Sequence, residues 1–120
     1  MIIEKEFVFD SAHFLPRVAA DHKCRKLHGH TYKVVIAIEG ETDDKGWIMD
    51  FADISAVVQP ILHRIDHTLL NAVPGLENPT AENIAIVIYN LLRPHIPEQL
   101  ELQVRLYETP RNFVEYPAGI

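Results

Sequence analysis

The chain has 120 residues, 48% hydrophobic and 23% charged, which is the length of one domain (1–120) and an ordinary globular composition; at this size roughly two-thirds of the unfolded surface is buried on folding. A net charge of −6 speaks against a nucleic-acid face, which needs Lys and Arg gathered on one surface. No apolar run approaches the ~18 to 20 residues of a membrane span, and the opening MIIEKEF lacks a signal peptide's apolar region, so neither a membrane partner nor export is expected. The single cysteine, Cys24, cannot form an internal disulfide, and its free thiol suits a reducing compartment, so the expected location is the cytoplasm.

In chain order, Ile3, Lys5, Phe7 and Phe9 alternate with Ile2, Glu4, Glu6 and Val8, which predicts a half-buried strand over about 2–9. Residues 31–39, TYKVVIAIE, are β-branched and aromatic-rich and predict a second strand, with the polar GETDDKG at 40–46 as its exit turn. Asp50 reads as the N-cap of an amphipathic helix carrying Phe51, Ile54, Val57, Val58, Ile61, Leu62 and Ile65 at three- and four-residue spacing. Pro60 lies inside it and removes a hydrogen bond, so a kink or two shorter pieces is expected. Thr80 caps a second helix bearing Ile84, Val87, Ile88, Leu91 and Leu92, which Pro94 and Pro97 end. Alternation resumes at Leu102, Val104 and Leu106, and a Pro110 turn leads into a last strand over 112–116. The order ββααββ predicts an α+β fold: a four-stranded antiparallel sheet with two helices on one face. Such a sheet keeps two open edges and one uncovered face, for which oligomerisation is a natural solution.

The chemistry concentrates in KLHGHTY. His28 and His30 flank Gly29 at strand spacing, so both rings face one side, and Gly29 adds no side chain between them. His13 follows the first strand, and pairing of the two strands would bring a third imidazole to the same point. Three neutral nitrogen donors with a fourth position open is the pattern of a catalytic zinc. Seven histidines give some close spacings by chance, so the pair alone leaves unrelated surface rings equally open; His22, His63 and His95 read as surface or packed residues. Cys24, amid Lys23, Arg25 and Lys26, is a candidate thiolate; a free cysteine is more often an inert buried thiol, but the three cations oppose burial here. Asp66 and His67 close the first helix as either a carboxylate-polarised acid–base pair or plain polar capping. Glu108, at the end of the third strand, is either a solvated strand-end residue or a carboxylate fit for a guanidine-like edge. Thr80 caps its helix and also has a hydroxyl to offer a ligand.

Taken in order, FDSAH (9–13), CRKLHGH (24–30), GWIMDF (46–51), DHTLLN (66–71), NPTAEN (78–83) and YET (107–109) make the chain resemble, nearly end to end, the family of 6-pyruvoyl-tetrahydropterin and 6-carboxy-tetrahydropterin synthases. The resemblance implies zinc on His13, His28 and His30, a catalytic Cys24, a proton relay from Asp66 with His67, and pterin anchoring by Glu108 with Thr80. It also implies the tunnelling fold, in which subunits join their sheets into a barrel, as trimers paired into a hexamer, with the pterin between subunits. The short C-x3-H-G-H spacing is similar to the bacterial carboxy-forming branch. That branch is a lyase making 6-carboxy-tetrahydropterin, acetaldehyde and triphosphate from 7,8-dihydroneopterin triphosphate, for queuosine and other deazapurines. Lys23 stands where a variant subgroup carries Glu, which disfavours that subgroup's chemistry. The alternatives are triphosphate elimination alone, giving the pyruvoyl product, and a non-catalytic pterin- or metal-binding module.

Overall fold

The computed structural model describes residues 1–119. Four strands, β1 (Ile2–His13), β2 (His28–Glu39), β3 (Glu101–Thr109) and β4 (Asn112–Tyr116), form one antiparallel sheet in the order β1-β2-β3-β4, and the helices α1 (Phe51–His63) and α2 (Ala81–Leu92) pack on one face. The core lies between these layers. Phe7, Phe9, Tyr32, Val34, Ile36, Ile38, Leu102, Val104 and Leu106 point into it from the sheet; Ile54, Val58, Ile61, Leu62, Ile84, Ile88 and Leu92 meet them from the helices. These are the positions that the period-two and period-3.6 patterns pick out.

β1 runs four residues beyond the expected end, and β2 starts three residues before the expected beginning. The two extensions pair with each other, placing Asp10 opposite Thr31, Ser11 opposite His30, Ala12 opposite Gly29 and His13 opposite His28. None of Asp10, Ser11, Ala12 and Gly29 favours a strand by itself, so ladder hydrogen bonds rather than propensity decide these seven added positions. His13 is thus the last residue of the first strand and does not follow it.

Pro60 does not divide α1, which is a single helix. The proline is exposed, so the carbonyl left without an N–H partner, that of exposed Ala56, faces water, while Ile54, Val58, Ile61 and Leu62 hold the helix to the core. Asp50 caps this helix, its carboxylate accepting the Ala52 N–H at 2.8 Å. Thr80 does the same for α2, accepting the Asn83 N–H at 3.2 Å. α1 ends at His63, so Asp66 and His67 lie in the turn beyond it instead of closing it.

No helix is long and apolar enough to cross a membrane among the described residues. The Asp50 cap satisfies an otherwise unpaired helical N–H, so Asp50→Ala is expected to lower the unfolding free energy by about 1 kcal/mol, with an unchanged urea m-value, in chemical denaturation.

Candidate metal centre and acid–base pair

The register of β1 and β2 sets the first part of the site. His13 and His28 are direct cross-strand partners, and His30 sits two residues along on the same face. The rings meet edge to face, with centroids 4.6 Å (His13–His28), 5.1 Å (His13–His30) and 4.9 Å (His28–His30) apart. One ring nitrogen from each lies within 4.8 Å of the others. A Cβ at Gly29 would meet only the Ser11 carbonyl, at 3.6 Å, an ordinary contact, so strand alternation rather than the glycine's small size lets the rings converge.

Hydrogen bonding fixes the tautomers of two of these rings. His13 Nδ1 lies 2.8 Å from the Pro79 carbonyl and His28 Nδ1 lies 2.7 Å from the Lys26 carbonyl. A carbonyl only accepts, so each Nδ1 carries the proton and each Nε2 presents a lone pair. Those two Nε2 atoms are 3.1 Å apart. His30 Nε2 is buried with no hydrogen-bond partner. Glu108 extends over the cluster, its Oε1 lying 3.7 Å from His30 Nε2 and its Oε2 3.9 Å from His13 Nε2. Burial pushes the His13 and His30 pKa values down, and the raising effect of Glu108 is smaller, so both rings are neutral near pH 7 and neither forms a true ion pair with the carboxylate. Lone pairs and a carboxylate turned toward one point repel each other unless a cation lies among them. The donor set therefore fits a divalent ion, with carbonyls as the outer partners that orient metal-binding imidazoles. Tyr32 lies beneath the rings, fully buried and stacked on Phe9 at 4.8 Å, and burial drives its phenol pKa far above the usual value.

The second part of the site is Asp66 and His67. His67 has φ of 55°, a left-handed conformation that turns the chain alongside β1. Outside the helix the adjacent side chains do meet, His67 Nδ1 lying 2.9 Å from Asp66 Oδ1. The Asp10 N–H donates to the same carboxylate at 2.9 Å, and the His67 N–H donates back to the Asp10 carbonyl. The Asp10 amide first and the His67 ring second hold the Asp66 carboxyl below its ordinary pKa. It is therefore ionised at neutral pH and accepts the Nδ1–H of His67, which leaves Nε2 of that ring outside the pair. Ser11 donates its hydroxyl to the Ile65 carbonyl, and the Thr31 hydroxyl donates to Asp10.

Two open depressions flank β2 where it begins. One, of about 610 Å³, is lined by Asp10, His30, His67 and Thr68 among others; the other, of about 490 Å³, by His30, Lys33, Tyr107 and Glu108. His30 lines both. Thr80 sits one residue beyond Pro79, whose carbonyl orients His13, but its hydroxyl is engaged in capping α2. Cys24 is half-buried in a short 3-10 turn, Lys23–Arg25, between exposed cations, and lines neither depression. His22, whose sequence context shows no role, accepts the Cys24 N–H at 3.0 Å. Asn71, Asp10 and Ser11 also hold the site in ways that only their membership in the FDSAH and DHTLLN segments hints at.

Ligand imidazoles must be unprotonated, so the metal content of the loaded protein should fall as pH drops below the ordinary imidazole range, monitored by elemental analysis after desalting at each pH. In the metal-free protein the lowered His13 and His30 pKa values mean that the unfolded chain binds more protons just below pH 6.5. Stability should therefore be fully present above that pH and decline below it, as followed by urea titration.

A sequence profile of the family described as 6-pyruvoyl tetrahydropterin synthase matches residues 2–118. The chain is 37% identical over 140 aligned positions, covering 95% of it and 96% of the relative, to a 6-carboxy-5,6,7,8-tetrahydropterin synthase of Haemophilus influenzae. It is 36% identical over 95 positions, 79% of the chain and 77% of the relative, to a dihydroneopterin monophosphate aldolase of Pyrococcus furiosus. Its fold superposes on the structure of the Caenorhabditis elegans 6-pyruvoyl tetrahydropterin synthase with a TM-score of 0.87 at 26% identity, covering 97% of this chain and 94% of that one. With a match from near its first residue to near its last, and with the three-histidine cluster in place, the chain belongs to the 6-pyruvoyl tetrahydropterin synthase family of pterin enzymes.

Proposed function

We propose that this chain is a zinc-dependent 6-carboxy-tetrahydropterin synthase, a lyase that converts 7,8-dihydroneopterin triphosphate, with water, to 6-carboxy-5,6,7,8-tetrahydropterin, acetaldehyde and triphosphate. The observation that carries the metal assignment is the 3.1 Å approach of two Nε2 lone pairs whose rings have their protons tied to carbonyls. The carboxy product rests on the short C-x3-H-G-H spacing and on relatives of that name, such as the Haemophilus influenzae protein. The pathway is then queuosine synthesis, in the cytoplasm.

Zinc on His13, His28 and His30 would supply Lewis acidity toward the side-chain oxygens of the substrate. Cys24 removes a proton from the substrate side chain. His67, oriented by Asp66 through the 2.9 Å hydrogen bond, gives or takes a proton at Nε2. Glu108 holds the pterin with its carboxylate, helped by Thr80, so that the side chain lies over the histidines. The 3.7 Å distance from Glu108 Oε1 to His30 Nε2 supports a place for Glu108 in the same site as the three histidines. The chain acts as one domain, 1–120, and assembles as a dimer of trimers. The half-exposed Phe113 and largely exposed Val8 on the helix-free face, together with the open β1 and β4 edges, support that assembly, as does the position of Cys24 away from both depressions of its own chain.

Purified, zinc-loaded protein incubated with 7,8-dihydroneopterin triphosphate should release acetaldehyde and triphosphate together, identified by mass spectrometry and derivatisation. Triphosphate without acetaldehyde would make it a pyruvoyl-forming enzyme, and unchanged substrate would sink both readings. Cys24→Ala should reduce kcat by about 10²-fold or more and leave zinc content intact, the signature of lost proton transfer; a non-catalytic module would be indifferent to the change.

A further inference from the structure

Between the last residue of β1 and the first of β2 the chain leaves the sheet as a long loop, residues 14–27, which carries Cys24. Its internal ties are several: Leu15 N–H to the Cys24 carbonyl at 2.8 Å, His22 N–H to the Ala19 carbonyl at 2.9 Å, and the Arg25 guanidinium to the Val18 carbonyl at 2.8 Å. Its external ties are few. Among the described residues, three hydrogen bonds join it to the rest of the protein: His28 Nδ1 donates to the Lys26 carbonyl at 2.7 Å, at the point where the loop enters β2, and the other two, at its far end, both go to one side chain. The Phe14 N–H donates to Asn71 Oδ1 at 3.0 Å, and Asn71 Nδ2 donates to the Phe14 carbonyl at 2.9 Å.

Asn71 is itself well anchored. It follows Leu70, which is fully buried, and Leu69, which forms a parallel bridge with Ala12. Two residues beyond that bridge, its amide presents an acceptor and a donor to the Phe14 backbone as a neighbouring strand would. Phe14 is thus fixed to the segment that carries Asp66 and His67. Leu15, the next residue, holds the Cys24 carbonyl. No other residue type does this equally well: Asp lacks the donor, Gln is a methylene too long, and Ala leaves two partly buried backbone groups unpaired.

We infer that Asn71 is a positioning residue that sets where the Cys24 thiol stands relative to the remainder of the site. The inference rests on the proposed role of Cys24. Its test does not depend on that role, because Cys24 is the only cysteine and a thiol reagent therefore reports on it alone.

The zinc-loaded wild type, Asn71→Ala and Asn71→Asp are compared for Cys24 alkylation rate with iodoacetamide, for kcat and KM, for zinc content and for melting temperature. In Asn71→Ala the loop loosens: alkylation should quicken several-fold and kcat fall about 10- to 100-fold, as expected for a misplaced reacting group, with zinc content and a cooperative melt retained. Asn71→Asp, which keeps the acceptor half of the clamp, should lie between. Wild-type alkylation and turnover in Asn71→Ala would overturn the inference. So would rapid hydrogen exchange at the Phe14 amide in the wild-type protein, a measurement that needs no variant to fold. Should Asn71→Ala speed alkylation while Cys24→Ala retains full turnover, the clamp stands and the catalytic role of Cys24 falls.

Discussion

The antiparallel register between the end of β1 and the start of β2 is the constraint from which the site follows. Side chains along a strand alternate between faces, so His28 and His30 share a side only while Gly29 lies opposite Ala12, and His13 reaches them only as the direct partner of His28. A slip of one residue would turn one strand's histidines away from the other's. The same slip would expose Phe7 and Phe9 and bury Glu6 and Val8, so the hydrophobic core enforces the alignment that the site requires. Packing at one end of the strands thereby fixes chemistry at the other.

A second seam ties the acid–base pair to the same strand. From Asp10 to Phe14, β1 and its exit are held against residues 65–71 by alternating side-chain and backbone bonds: Asp10 to Asp66 and His67, Ser11 to Ile65, Ala12 to Thr68, and Phe14 to Asn71. Most of these use a short polar side chain in place of a backbone group, because the left-handed turn at His67 carries the chain away from regular pairing. The unfavourable conformation at His67 is held by ties on either side of it.

The fold was largely legible in the sequence because its strands and helices each bury one face, and that requirement writes a period of two or of 3.6 into the apolar positions. Asp50 and Thr80 were legible as caps for a similar reason: a helix start needs an acceptor, and few side chains provide one. Element ends were less legible. Asp10, Ser11, Ala12 and Gly29 join strands through the partner they meet, and nothing in their own chemistry announces it. Pro60 misleads in the other direction, since its local penalty is outweighed by the buried residues around it. Within the site, the HxH spacing is a direct signal, whereas the contact of Asp66 with His67 depends on a backbone angle, and the grip of Asn71 on Phe14 depends on a juxtaposition 57 positions apart in the chain.

The neutrality of the groups around the three imidazoles has an electrical consequence. His13 and His30 are held unprotonated by burial, and Tyr32 beneath them keeps its proton. A divalent ion held by such donors keeps its whole charge, apart from what Glu108 offsets. In a chain of net charge −6, that spot would be a centre of positive potential on a molecule that is acidic overall, and incoming anions would be drawn to it.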